Sequence, residues 1–119
     1  MYNKKIGNFG EELAIDHLKK KGYKIIEKNL KLSYKELDII AKYKGKIIFV
    51  EVKTRTSLLF GSAEDAMSSK KLHHLKKAIS MYVNCNKNIN PNEVRLDLIC
   101  IDIDKDKKIA KIKHIEDLF

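Results

Sequence analysis

The sequence predicts one α/β or α+β domain in which helices flank a mixed sheet. Its 119 residues suit a single domain, and a hydrophobic fraction of 44% with 34% charged residues is typical of a globular chain. The spacing of apolar residues predicts the order helix, three strands, helix, two strands. Because no repeat or low-complexity segment divides the chain, we expect one domain over residues 1–119.

The first helix is predicted over residues 4–21, where apolar side chains recur at helical spacing. Three lysines at residues 19–21 suit the negative end of the helix dipole, and Gly22 suits a C-cap. A strand over residues 23–28 follows. His17 falls on the apolar stripe of the helix, where we expect a packed and hydrogen-bonded histidine.

A hairpin is predicted from residues 36–43 and 46–54, with a turn at Lys44-Gly45. A two-residue loop places Asp38 opposite Glu51. Because side chains alternate along a strand, one face is then wholly apolar; it carries Leu37, Ile39, Ala41, Ile48, Val50 and Val52. The other face carries four polar residues at the open end of the hairpin: Glu36, Asp38, Glu51 and Lys53. A three-residue loop would mix charged residues into the apolar face, so we reject it.

A second helical region is predicted after a break at Gly61-Ser62, with Ser68 or Ser69 as a cap within it. Two further strands are predicted over residues 94–103 and 108–115. The two cysteines, Cys85 and Cys100, lack metal-ligand spacing, so we expect them to be reduced and structural.

The predicted pair of opposed acids, Asp38 and Glu51, indicates a chemical function. Cross-strand neighbours lie about 4.5–5.5 Å apart at Cβ, so Asp38 and Glu51 would repel each other. A Mg²⁺ ion resolves this conflict because it prefers carboxylate oxygens and retains water ligands. Lys53 would hold an attacking hydroxide or neutralise charge on a phosphate, a combination that fits phosphodiester hydrolysis. A solvent-exposed sheet face with ordinary polar positions explains the same spacing and stays open.

The net charge of +9 favours a polyanionic partner, although a lysine-rich chain with only two arginines also arises from AT-biased coding. Lys70 and Lys71, in a basic stretch of the second helix, and Arg55 are candidate nucleic-acid contacts, as is Tyr34. A solvated helix face explains the lysines equally. Arg95 and Asp97 alternate onto one strand face, where a buried ion pair is as reasonable as a functional role.

Two segments resemble a known nuclease motif: residues 36–41, with sequence ELDIIA, and residues 49–55, with sequence FVEVKTR. Together they resemble the core of the PD-(D/E)XK nuclease superfamily. More narrowly, the chain is similar to the YraN-like family of uncharacterised bacterial proteins, considered related to archaeal Holliday-junction resolvases. Further matching positions are Gly7, Asn8, Phe9, Gly10, Glu11, Ala14, Leu18, Gly22, Tyr23, Asn29, Phe60, Gly61, Ala66, Lys71, Ala78, Tyr82, Arg95, Leu96 and Asp97. One departure is Lys35, where glycine is usual.

The resemblance implies a restriction-endonuclease-like fold and a metal-dependent endonuclease that acts on structured or branched DNA. It implies catalytic roles for Glu11, Asp38, Glu51 and Lys53. Mg²⁺ or Mn²⁺ would be held by Asp38, Glu51 and the carbonyl of Val52. RNA stays open as a substrate, and a homodimer is expected from the resolvases.

A non-catalytic module that binds nucleic acid or protein on the same scaffold is the alternative function, because the family has no established activity. Glu36 would lie beside the site or act as a partner of Lys53. The sequence shows no targeting segment and no apolar stretch long enough to span a bilayer, so we expect a cytoplasmic protein without membrane contact.

Overall fold

The computed structural model describes residues 4–33, 35–56 and 67–119. It confirms the predicted order of elements, which are α1 Lys4–Lys20, β1 Lys24–Leu32, β2 Lys35–Tyr43, β3 Lys46–Arg55, α2 Ser69–Cys85, β4 Val94–Asp104 and β5 Ile109–Ile115. A short 3₁₀ helix, Pro91–Glu93, precedes β4. Tyr34 and the predicted positions at Phe60, Gly61, Ser62 and Ala66 lie outside the described residues.

The five strands form one sheet in the order β1-β2-β3-β4-β5. The β3–β4 pair is parallel and the other pairs are antiparallel, so the sheet is mixed as predicted. Buried residues of α1 pack on one face of the sheet, and those of α2 pack on the other. This is the α+β arrangement of a mixed sheet with flanking helices that the sequence predicted. No helix in the described part of the chain is long and apolar enough to cross a membrane.

Helix α1 approaches the sheet closely at Gly10. A Cβ atom at this position would overlap the side chain of Thr54 on β3, so only glycine fits without a shift. Gly22 ends the helix region with a φ of +94°, as expected of a C-cap glycine. The next residue, Tyr23, is buried and stacks on Tyr43 with ring centroids 4.0 Å apart. The close packing fixes the position of α1 over β3.

The predicted hairpin register is confirmed from the turn as far as Ile39 with Val50, and the predicted pair of Asp38 with Glu51 lies beyond the paired residues. Lys44 and Gly45 form a two-residue turn with φ values of 48° and 80°, the positive angles that such hairpins require. Pairing between β2 and β3 runs from Tyr43 with Lys46 to Ile39 with Val50. Beyond that point β2 stays paired with β1 and β3 stays paired with β4. The two central strands therefore part at the next residues along each strand.

The predicted apolar face was wrong at Leu37. This residue is buried with Ile40 and Phe49 in the cluster on the α2 side, whereas Ile39 and Ala41 belong to the cluster on the α1 side. The predicted alternation holds where β2 pairs with β3. It fails past Ile39, because there β3 no longer constrains the strand. Strand β1 also extends to Leu32 rather than ending at residue 28, because β2 pairs with it along this length.

The buried ion pair between Arg95 and Asp97 is confirmed. The fully buried Asp97 carboxylate accepts hydrogen bonds from Arg95 Nε at 2.8 Å and Nη2 at 2.9 Å, from His114 Nε2 at 2.8 Å and from the Asp117 amide at 3.0 Å. Burial alone would raise the pKa of Asp97, but these hydrogen bonds lower it below the ordinary value. The network joins β4 to β5 and, through Arg95 and the Tyr23 hydroxyl at 2.7 Å, to the end of α1.

His17 was expected to be packed and hydrogen-bonded, and only the packing is confirmed. Its ring stands edge-on to His114, with centroids 5.4 Å apart. Its Nε2 atom is buried and has no hydrogen-bond partner among the described residues. Burial, followed by the charges of His114 and Lys21, lowers the pKa of His17, so the neutral ring is favoured. Neither cysteine forms a disulfide among the described residues; Cys100 is buried, but Cys85 is exposed rather than part of the core.

Candidate active site

The fork between β2 and β3 holds the two acids that the sequence predicted to be opposite each other. Asp38 lies directly before the paired residues of β2, and Glu51 lies directly after the paired residues of β3. The Asp38 carboxylate accepts a hydrogen bond from the Val52 amide at 2.9 Å, so the side chain takes the place of a strand partner. Glu51 is only 8% exposed. The fork thus places two carboxyl groups together at a largely buried position.

The environment of Asp38 disfavours its ionised form. Burial, the hydrogen bond with Glu51 and the charge of Glu51 raise the pKa of Asp38 to about 8, although the Val52 amide and Lys71 act in the opposite direction. Two adjacent carboxylates cannot both ionise without a penalty. The pair therefore favours either a shared proton or a bound cation.

Glu11 approaches this pair from α1, the other side of the fork. Burial raises its pKa, and the charges of Asp38 and Glu36 raise it further, which indicates a shared acidic environment. Its Oε1 atom is buried and has no hydrogen-bond partner among the described residues. Its neighbour Glu12, about 100° further around the helix, is exposed. A buried carboxylate oxygen without a partner is costly unless something else binds it.

Lys71 supplies a positive charge at the fork from α2. Its Nζ lies 3.0 Å from Glu51 Oε2, and its side chain remains 52% exposed. The sequence placed Lys71 near nucleic acid but gave no sign of this ion pair. Lys53, the predicted catalytic cation, is exposed on β3 and forms no salt bridge within the described part of the chain. Among the described residues, Lys71 is therefore the lysine that forms a salt bridge with the acid pair.

A pocket of about 390 Å³ opens beside the acid pair between β2 and α2. Its lining residues are Lys35, Glu36, Asp38, Lys71, His74, Leu75 and Ala78. His74 was not among the predicted site residues, and Lys35 was noted only as a departure from the family pattern. Helical spacing could have predicted that Lys71 and His74 lie near the site, because residues 71, 74, 75 and 78 share the face of α2 that buries Leu75 and Ala78.

Arg55 and Lys70, which were also predicted to contact nucleic acid, differ in how exposed they are. The Arg55 side chain is only 9% exposed, and it binds Asp102 through Nε at 2.8 Å and Nη2 at 3.2 Å. This ion pair leaves little of Arg55 to meet nucleic acid. Lys70 is exposed on the first turn of α2, where contact with a ligand is sterically open.

The residues at the fork fit a hard divalent cation. No three His, Cys, Asp or Glu side chains within residues 4–33, 35–56 and 67–119 come together as a ligand set. Mg²⁺, however, is commonly held by one or two carboxylates together with waters and substrate oxygens. Asp38, Glu51 and the Val52 carbonyl would supply such a set. The electrostatic conflict between the acids and the unpartnered Glu11 oxygen both fit a cation at this position.

The chain is only distantly similar to solved structures. The chain is 19% identical to an fdxN element excision controlling factor from Anabaena variabilis, with a TM-score of 0.42 over 91% of this chain and 98% of the other. It is 14% identical to SfsA from Pyrococcus furiosus, solved with Ca²⁺, with a TM-score of 0.42 over 91% of this chain and 60% of that one.

Sequence relatives are much closer. A UPF0102 protein of Syntrophomonas wolfei is 43% identical over 117 residues, which cover 98% of this chain and 99% of the relative. A UPF0102 protein of Flavobacterium psychrophilum is 42% identical over 114 residues, covering 96% and 92% of the two chains. The model of the uncharacterised protein family UPF0102 matches residues 10–101. These matches confirm the YraN-like resemblance, and the chain therefore belongs to the uncharacterised protein family UPF0102.

Proposed function

We propose that this protein is a metal-dependent endonuclease that hydrolyses phosphodiester bonds of DNA at the β2–β3 fork. The observation that carries the proposal is the juxtaposition of Asp38 and Glu51, two largely buried carboxyl groups beside a pocket that also contains a lysine. Perturbed acids that converge in a pocket are typical of functional sites.

Stability alone gives no reason for this arrangement. Burying a carboxyl group costs free energy unless it is well paired, and here each acid has another acid as a neighbour. The surrounding strands are built from isoleucine, valine and phenylalanine, which would pack at these positions without such a cost. A functional role for both acids accounts for the penalty.

Each residue at the fork has a role in this proposal. Asp38, Glu51 and the Val52 carbonyl would hold Mg²⁺ or Mn²⁺, which when bound lowers the pKa of water and polarises a phosphate. Glu11 would accept a hydrogen bond through its unpartnered oxygen and so orient a water molecule. Lys53 and Lys71 would stabilise negative charge on the phosphate, with Lys71 turning from Glu51 towards the substrate.

The proposed substrate class rests on charge and on the resolvase resemblance. A net charge of +9 favours a polyanion, and α2 presents lysines next to the pocket. By resemblance we propose structured or branched DNA, cut by a homodimer in the cytoplasm. RNA has the same backbone charge and is the competing substrate in the test below.

A non-catalytic binding module is the second candidate. The ion pair between Lys71 and Glu51 favours it, because a lysine neutralises one acid without any metal. In that case, the basic residues would bind a partner and the acids would only position Lys71. This alternative predicts binding of nucleic acid or protein without cleavage.

Cleavage of a labelled four-way junction, matched duplex, single-stranded DNA and RNA in Mg²⁺, Mn²⁺ or EDTA tests the proposal. Glu51→Gln should abolish metal-dependent cutting, and Asp38→Asn should do the same, while binding in EDTA persists. Glu12→Gln is the matched control, because it removes one exposed carboxylate from the helix that carries Glu11. Equal cutting by Glu51→Gln and the wild-type protein would refute the nuclease. No cutting with intact binding would favour the module.

A further inference from the structure

Two pockets adjoin on the side of the sheet that α2 covers, and both include Lys35. The first, of about 390 Å³, contains the acid Asp38 together with Lys71 and His74. The second, of about 340 Å³, is lined by Lys35, His73, Lys76, Lys77, Ser80 and Met81. Lys35, at the start of β2, therefore lies between an acid-containing pocket and one whose charged lining is entirely basic.

The electrostatics of this surface change along α2. Of these two pockets, only the one at the fork has acidic residues in its lining, namely Glu36 and Asp38. Desolvation, followed by the positive charges of Lys70 and Lys35, lowers the pKa of His74, with smaller contributions from His73 and Lys77. These groups thus act on one another over a short distance. A surface with this density of like charge favours an anionic ligand.

The dimensions suit a strand of nucleic acid. Lys71 and Lys77 are six residues apart on α2, which corresponds to about 9 Å along the helix. That length spans about two to three nucleotides at an axial spacing of about 3.4 Å per strand. Each pocket is at the lower end of the size range for small-ligand sites, enough for a phosphate and its sugar rather than for a duplex.

We propose that Lys35, His74 and Lys77 form a phosphate track that guides one nucleic-acid strand along α2 to the carboxyl groups at the fork. Lys35 contacts the strand at the junction of the two pockets. Lys77 binds a phosphate farther from the fork, and His74 binds one closer to it. This inference rests on the proposed function, because it takes the fork as the place where the strand ends its path.

The track is tested by the binding of a fluorescein-labelled 15-nucleotide single-stranded DNA, measured by anisotropy in EDTA across 50 mM to 1 M NaCl. Removal of one phosphate contact lowers the salt slope by about 0.7 for a single strand. Across this twentyfold range of salt the slope change corresponds to an affinity loss of about eightfold at 50 mM that vanishes towards 1 M. We expect this loss for Lys35→Ala and for Lys77→Ala, and recovery in Lys35→Arg.

Lys46→Ala is the matched control. It also removes one lysine charge, but from an exposed position at the hairpin turn, at the opposite end of β2 from Lys35. Loss of affinity confined to Lys35→Ala and Lys77→Ala supports the track. Equal affinity of Lys35→Ala, Lys77→Ala and Lys46→Ala overturns it, as does a wild-type protein that does not bind the oligonucleotide.

Cleavage assays separate this inference from the proposed function. If the wild-type protein cuts DNA with Mg²⁺ but Lys35→Ala binds like Lys46→Ala, the nuclease stands and the track is wrong. If Lys35 and Lys77 support binding but no substrate is cut with any metal, the track stands and the nuclease is wrong.

Discussion

Replacement of Asp38 by asparagine should stabilise the protein at alkaline pH while it destroys the proposed site. The substitution keeps the shape of the side chain and an oxygen that accepts the hydrogen bond from the Val52 amide. It removes the charge that conflicts with Glu51. A residue retained for stability would show the opposite effect, so the free energy of unfolding distinguishes the two roles.

The direction of the pH dependence follows from the raised pKa of Asp38. The unfolded chain releases this proton near pH 3.8, whereas the folded protein holds it until about pH 8. The stability from this group is therefore fully present below about pH 4 and is lost as the pH rises towards 8. The interval between these values corresponds to at most about 6 kcal/mol. The pKa of about 8 already includes the opposing charge of Lys71, and we expect about 2 kcal/mol or more of this penalty to be measured at pH 9.

Urea unfolding of the wild-type protein and Asp38→Asn at pH 4.5, 7 and 9 measures the effect. The difference in free energy of unfolding should grow with pH in favour of the variant, because other titrating groups cancel in the comparison. Asp16→Asn serves as the control, since Asp16 is an exposed aspartate paired with Lys20. A variant less stable than the wild-type protein at pH 9 would refute the argument and give Asp38 a structural role.

Three further predictions concern the scaffold, each checked by urea unfolding. Asp97→Asn should cost about 3–5 kcal/mol, because it breaks a buried ion pair with several donors; a loss below 1 kcal/mol would show that the network is dispensable. Gly10→Ala should cost about 1–3 kcal/mol despite the helix preference for alanine, because the new methyl group meets Thr54. Adding Thr54→Ala should recover part of this loss, and strict additivity would exclude the clash. His17→Leu should flatten the loss of stability below about pH 6.5, because the lowered pKa of His17 means that protonation favours the unfolded chain; an unchanged loss in the variant would contradict this reason.

The local sequence pattern was sufficient to predict the order of the strands and the hairpin that carries Asp38 and Glu51. The alternation of residues 36–43 and 46–54, with Lys44-Gly45 between them, predicted a register that the structure confirms as far as Ile39 with Val50. This was possible because a hairpin is closed by its own turn, so neighbours in sequence decide which residues face each other. Asp38 and Glu51 follow directly from that count.

Prediction failed where a residue depends on a distant element. Leu37 packs towards α2 where pairing with β3 has ended. His17 stands edge-on to His114 of β5, and its Nε2 atom has no hydrogen-bond partner among the described residues. Neither effect has a signature in the residues nearby. Strand length was also misjudged, because β1 is extended by its pairing with β2.

The sequence by itself determined the order of elements, the hairpin and the placing of two acids at its open end, all of which depend on periodicity and on one short turn. Only the tertiary structure decided that β2 and β3 part beside those acids, that Lys71 reaches Glu51, and that Lys35 lies between two pockets under α2. The physical reason is that the fork exists because each strand keeps its outer partner while losing its inner one. Which backbone hydrogen bonds β2 and β3 keep depends on their packing against β1, β4 and the helices, and these elements lie too far away in sequence for a local pattern to predict them.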